Sequence, residues 1–223
     1  MVNGVSNIRR RSYDGAWVRL AFVLFTILIS LTVTASNIVN AQAASSPAST
    51  GSTLSTGIII PLYSDPRTTW DQVVQAKLAH PSVPVIAVIN PSSGPGTSKD
   101  TNFVNGTQKL QSAGIIVLGY VPTSYGSRSA SLVEADINSY KNWYNVNGIK
   151  FDEMSTNATY VIYYSNLSAY AKSLGMTMTV GNPGTDTIPD YIGTVDTLSI
   201  YEGSPLPSVA YLGGWHTGYP KSN

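Results

Sequence analysis

The chain has 223 residues, no cysteine, and 11% charged against 43% hydrophobic residues. Without thiols there is no disulfide framework, thiolate metal site or cysteine nucleophile, and His80 and His216 are too few for a histidine-based metal cluster. The formal charge is +1, but Arg9, Arg10, Arg11 and Arg19 face Asp14 alone in residues 1–43, so the remainder holds 9 basic and 11 acidic residues; that mildly acidic balance excludes the basic footprint of a DNA or RNA binder.

Residues 1–43 read as a signal peptide. The three consecutive arginines form a positive n-region, 21–33 an apolar h-region, and Ala41 and Ala43 the small residues a signal peptidase reads. The apolar core, about 13 residues, is short for a membrane span of roughly 20. An uncleaved signal anchor is the alternative, and the only membrane attachment the sequence offers. Either way the destination is secretion or the extracellular surface. The arginine pair also fits a twin-arginine signal or ordinary n-region charge. Residues 44–56, rich in Ser and Thr, form a low-complexity spacer with almost nothing to bury. The folded domain is expected over 57–223.

From Gly57 a strand-then-helix alternation repeats. Strands are expected at 57–63, 83–90, 114–121, 148–153, 176–181 and 194–201. Helices are expected at 69–79, near 100–112, at 131–144, and after the N-cap candidates Ser155, Thr156 and Asn157. Unbroken apolar strands alternating with helices imply parallel pairing with right-handed crossovers. A TIM-type (β/α)8 barrel is therefore the first architecture and a doubly wound sheet the second. A full barrel takes about 250 residues, and six strands fill the chain before a loop-like tail from Ser204. The expectation is thus a barrel truncated after its sixth strand, with an exposed edge and part of its apolar interior open.

Parallel strands bring their C-terminal ends to one face. Those ends carry Tyr63 with Asp65, Asn90, Tyr120, Asp152 with Glu153, Asn182, and Tyr201 with Glu202. Aromatic faces stack on sugar rings, and Asn side chains hydrogen-bond hydroxyl or amide groups. A carboxylate pair is what glycosidic-bond hydrolysis needs, one to protonate the leaving oxygen and one to attack or activate water. Asp152 and Glu202 can supply it. Each residue also has a plainer role: Asn90 and Asn182 precede proline and suit turns, Asp65 suits a turn or helix entry, and the tyrosines suit half-buried strand positions. No phosphate loop follows a strand, since Gly94-Pro-Gly96 is a turn, and no nucleophile elbow is present. No metal or organic cofactor is expected. Asn105, Asn157 and Asn166 head glycosylation sequons.

The segments 59–63 (Ile-Ile-Pro-Leu-Tyr), 89–96 (Ile-Asn-Pro-Ser-Ser-Gly-Pro-Gly), 119–126 (Gly-Tyr-Val-Pro-Thr-Ser-Tyr-Gly), 148–153 (Gly-Ile-Lys-Phe-Asp-Glu), 180–184 (Val-Gly-Asn-Pro-Gly) and 201–202 (Tyr-Glu) together resemble the spherulation-specific (spherulin-4) family, from about Gly57 to Pro220. The resemblance implies a (β/α)8 barrel and a secreted glycoside hydrolase acting on α-1,4-linked galactosamine and N-acetylgalactosamine polymers such as galactosaminogalactan. It places the family's acidic pair on Asp152 and Glu153 and its later carboxylate on Glu202. Glu153 then supports, tuning a neighbour's pKa or gripping an amino group, with Glu202 favoured as the acid. A partly deacetylated, cationic polymer suits an acidic cleft. The rival expectation, from another class, is a non-catalytic polysaccharide-binding coat protein that keeps the stacking tyrosines without turnover.

Overall fold

A computed structural model describes residues 56–212, 214 and 218. The expected signal peptide and nearly all of the expected spacer lie outside those residues, as do Trp215 and His216.

Six parallel strands form one sheet in sequence order, β1 (Ile58–Leu62), β2 (Val85–Ile89), β3 (Ile116–Pro122), β4 (Gly148–Asp152), β5 (Met178–Gly181) and β6 (Thr197–Leu198). The sheet curls into a half-barrel. Strictly sequential order removes the doubly wound alternative, in which the order reverses at a switch point. Right-handed crossovers that never reverse direction keep every helix on the same side of the sheet. These helices are α1 (Trp70–Ala79), α2 (Thr101–Ser112), α3 (Ala130–Ser139) and α4 (Val161–Ser173), with a last turn, α5 (Val209–Leu212). Among the described residues no helix is long and apolar enough to cross a membrane.

Local sequence explains most of the boundaries. The Asp100 carboxylate accepts from the Asn102 amide at 2.7 Å and starts α2. Of the three cap candidates before α4, Asn157 serves, accepting from Thr159 N at 2.9 Å to open a 3₁₀ turn that runs into the helix. The helix expected over 131–144 is α3 continued by one π-helical turn, Tyr140–Tyr144, closed by Asn145 in the left-handed region. That turn brings both Tyr140 and Tyr144 into the core. β6 is far shorter than the 194–201 expected, so Tyr201 and Glu202 lie beyond a strand of two residues rather than at its end.

The strands divide their side chains between two apolar layers. Val117, Val121, Ile149 and Phe151 face the helices and join Trp70, Phe103, Leu110, Val133 and Ile137. The concave face carries a smaller cluster of Val88, Leu118 and Val180 flanked by Ile86, Tyr120 and Met178. This inner face opens towards β1, where Ile59 and Tyr63 are 45% and 47% exposed. β1 pairs only with β2 in the described sheet. An apolar groove of about 330 Å³ runs beside β1 and α1, lined by Ile58, Ile60, Val73, Val83 and Val85. Among the described residues, then, the β1 edge and part of the inner apolar face are uncovered.

One close approach fixes the outer layer. A Cβ on Gly119 would lie 2.5–2.7 Å from the ring carbons of Tyr140. That ring is fully buried and its hydroxyl donates to the Ile89 carbonyl at 3.3 Å, so it has nowhere to move. Gly119→Ala should therefore cost about 1–3 kcal/mol through overpacking. Equilibrium denaturation should show a lower midpoint with an unchanged slope; an unchanged midpoint would mean the ring adapts freely.

Candidate active site

The functional face is built from the C-terminal ends of the strands. β4 places alternate residues on alternate faces, so Lys150 and Asp152 share the concave side while Ile149 and Phe151 face the helices. The Asp152 carboxylate is half-buried and its Oδ1 accepts from two donors, Lys150 Nζ at 2.5 Å and Asn182 Nδ2 at 2.7 Å. The Tyr120 hydroxyl lies near the same carboxylate and favours its anionic form. The Lys150 ammonium also lies 5.6 Å from the centre of the Tyr120 ring.

Asn182 is the hinge of the arrangement. The chain leaves β5 directly into it, and its carbonyl oxygen accepts from Gly184 N at 3.2 Å, the turn role its position before proline implies. Its amide nitrogen then reaches both carboxylates, Asp152 at 2.7 Å and Glu202 Oε2 at 3.1 Å. One side-chain nitrogen thus ties the end of β4 to the segment after β6. Asn182 is buried whereas Glu202 is exposed, so the pair opens to solvent from the Glu202 side.

Electrostatics follow from this geometry. Burial pushes the Asp152 pKa up, but hydrogen bonds from Lys150 and Asn182, the Lys150 charge and the Tyr120 hydroxyl together hold it below the usual carboxylate value. Asp152 is an anion at any ordinary pH. Tyr63 and Tyr120 are shifted the other way. Burial raises both; the charges of Asp152 and Glu202 add to the effect at Tyr63, and the nearby Asp152 carboxylate, with the charge of Glu153, adds to it at Tyr120. Both phenols remain protonated donors. Their rings meet edge to face at 5.5 Å, with Tyr63 half in solvent, which leaves an aromatic surface beside the carboxylates.

Not every candidate converges here. Glu153 follows Asp152 in the left-handed region, φ 51°, where a non-glycine residue is uncommon. Its carbonyl is held by Tyr125 N at 2.7 Å and by Thr123 Oγ1 at 2.8 Å; the same hydroxyl reaches the Asp152 carbonyl at 2.9 Å. The chain therefore turns sharply at Glu153, and its carboxylate has no ion pair among the described residues. Asn90 is half-buried, and its carbonyl oxygen accepts from Gly94 N at 2.8 Å, ordering the loop after β2. Tyr201 packs on Tyr211 at 5.5 Å and its hydroxyl donates to the Pro205 carbonyl, so its described partners are in the chain that follows. Asp65 makes a local turn with Arg67, whose hydrogen bonds pull its carboxyl down to about 2. No group of three acidic or histidine side chains suited to a metal occurs among the described residues.

Lys150 is the residue the sequence pattern hides. Within the run 149–151 it looks like a stray charge, and only strand alternation puts it on the same face as Asp152.

The fold and the cleft define an α/β half-barrel protein with two carboxylates clamped by one amide at the open ends of parallel strands. The chain belongs to spherulation-specific family 4, whose family model matches residues 57–210. It is 38% identical over 148 residues to Spherulin-4 of Physarum polycephalum, an alignment covering 65% of this chain and 44% of that protein. It is also similar to the crystal structure of Aspergillus clavatus Sph3 in complex with GalNAc, with 32% identity and a TM-score of 0.62 over 66% of each chain. The chain thus spans less than half the length of Spherulin-4 and about two thirds of that Sph3 chain.

Proposed function

We propose that the protein is a secreted glycoside hydrolase that cleaves α-1,4-linked galactosamine and N-acetylgalactosamine polymers with Asp152 as nucleophile and Glu202 as general acid. The observation that carries this reading is the single Asn182 amide bonded to both carboxylates. Two acceptors on one nitrogen, at 2.7 and 3.1 Å, have their bonded oxygens no further apart than those two lengths end to end, which favours the close carboxyl spacing of retaining glycosidases over the wider gap that admits a water. Sph3, a structural relative, was crystallised with GalNAc, and the likeness to it supports an amino-sugar ligand here.

The two carboxyl groups sit in different surroundings, as an acid and a nucleophile require. Asp152, ionised beside Lys150, attacks the anomeric carbon while Glu202, exposed at the mouth, gives its proton to the leaving glycosidic oxygen. The glycosyl–Asp152 ester is then hydrolysed by a water whose proton Glu202 takes back. That restores both carboxyl groups and releases the sugar with its original anomeric configuration. In this reading Tyr63 offers the stacking face, and Glu153, whose carboxylate has no ion pair among the described residues, grips an amino group of a deacetylated unit.

The test measures reducing-end release from a partly deacetylated galactosamine polymer, polymer pull-down on the same sample, and the anomer formed first by proton NMR. Release with the α anomer appearing first is the expected result. Release of the β anomer would reverse the mechanism, and pull-down without release would make the protein a polysaccharide-binding coat component. Neither binding nor release would overturn the substrate class.

A further inference from the structure

The concave face of β4 carries a cation where an apolar residue would pack as well. Lys150 is 8% exposed and sits between Tyr120 and Val180, its register partners on β3 and β5. Its layer is otherwise apolar, with Leu118, Val88 and Met178 nearby in the inner cluster. Taking an ammonium out of water costs several kcal/mol, and well-packed apolar side chains generally serve stability at least as well as a buried ion pair. Packing alone therefore does not account for a lysine here.

The contacts do. Among the described residues Lys150 has one ion-pair partner, Asp152, at 2.5 Å. Lys150 and Asn182 both donate to Oδ1 of Asp152, which leaves Oδ2 as the oxygen that neither occupies. An attacking carboxylate needs this kind of asymmetry, with one oxygen anchored by fixed donors and the other outside their reach. The ring of Tyr120 packs against the ammonium and holds its side in place.

We propose that Lys150 is a positioning residue for Asp152, supplying the fixed counter-charge that anchors Oδ1 and leaves Oδ2 to attack. This rests on the reading of Asp152 as nucleophile. The titratable and polar groups around Asp152 are Lys150 from β4, Glu153 next in the chain, Tyr120 from β3, Tyr63 after β1, Asn182 after β5 and Glu202 after β6. Only Lys150 in that set is a cation. Removing it leaves Asp152 desolvated and facing two carboxylates, so protonation of Asp152 becomes easier.

The experiment follows the Asp152 carboxyl carbon by ¹³C NMR titration in the intact protein, the resonance being assigned by its loss in Asp152→Asn. In the wild type it should titrate below the ordinary Asp range, and in Lys150→Met at distinctly higher pH. Turnover should move with it. The acid limb of kcat/KM rises in pH, and kcat falls about 10–100-fold from lost alignment while KM changes little. Stability supplies a third readout. A depressed Asp152 pKa contributes stability that is full above the unfolded value and lost as pH falls through the folded one. Lys150→Met should abolish that acid-side loss.

If Lys150→Met does not fold, Lys150→Gln keeps a donor without the charge and should show the same upward titration. An Asp152 resonance that titrates unchanged in a folded Lys150 variant overturns the proposal, as does a wild-type Asp152 that titrates above the ordinary range. The titration needs no substrate. An upward shift in a protein that hydrolyses nothing would support the Lys150–Asp152 coupling while removing the hydrolase reading. Hydrolysis with an unmoved titration and pH profile would do the reverse.

Discussion

Glu202→Gln is expected to reduce polymer cleavage by about 100-fold or more while polymer pull-down persists, because the amide keeps the shape of the acid and cannot give a proton to the leaving oxygen. Asp152→Asn is expected to match it, for a different reason: the amide is no nucleophile. The two variants should part company in stability. Glu202 is exposed, so its substitution should shift unfolding by no more than about 0.5 kcal/mol. Asp152 is the counter-charge of buried Lys150. Breaking such a pair strands an uncompensated ammonium and costs about 3–5 kcal/mol in fully buried cases; the partial exposure of Asp152 and the oxygen retained by Asn should hold the loss below that. Thermal unfolding and reducing-end release on the same preparations check both halves. A double-digit percentage of the wild-type rate surviving in both variants would remove these residues from the chemistry. An Asp152→Asn as stable as the wild type would mean that the Lys150 pair is slack.

Much of this site could be read in the sequence because parallel strand topology is a strong constraint. Once strands and helices alternate, the residues at the C-terminal strand ends must share a face, and that logic brings Tyr63, Tyr120, Asp152, Asn182 and Glu202 together from the sequence alone. Where it failed, the reason was local. β6 pairs over only two residues, so Glu202 reaches the cleft from an irregular segment and not from a strand end. Asn90 shows how one residue type serves two purposes: its position before proline fits both a turn and a ligand contact, and the described bond is the turn's. For Asn182, the same Asn-Pro pattern conceals a residue that does both. Lys150 was invisible for a third reason. A run of Ile, Lys and Phe reads as apolar along the chain, while the pleat separates its two faces, and the charge belongs with Asp152 two residues on. Ile162 is the corresponding case in a helix: it fits the apolar spacing of α4, yet is 69% exposed, because Tyr164 and Leu167 carry the buried side.

Asn182→Asp should be the most disruptive change of a single atom at the site. The wild-type amide gives one nitrogen to two carboxylates and holds them close together without adding charge. A carboxylate in its place has no hydrogen to give and brings a third negative charge to within hydrogen-bonding distance of the other two. Close like charges disfavour ionisation, so the cluster retains a proton to higher pH than isolated carboxyl groups would, and the macroscopic titration belongs to the group as a whole. Near neutral pH, turnover should fall about 100-fold, since the nucleophile and acid lose their common anchor and shift apart. On acidification part of the activity should return, because the retained proton restores a donor, though to only one of the two partners. The sign of the stability change is set by the same shift. A pKa raised in the folded state contributes stability that is complete below the unfolded value and is lost as pH rises through the folded one. Relative to the wild type, the variant should therefore melt at progressively lower temperature from acid to neutral pH. A uniform loss of activity at every pH, with a parallel melting curve, would mean that Asn182 supports the loop through Gly184 and does not set the spacing of the carboxylates.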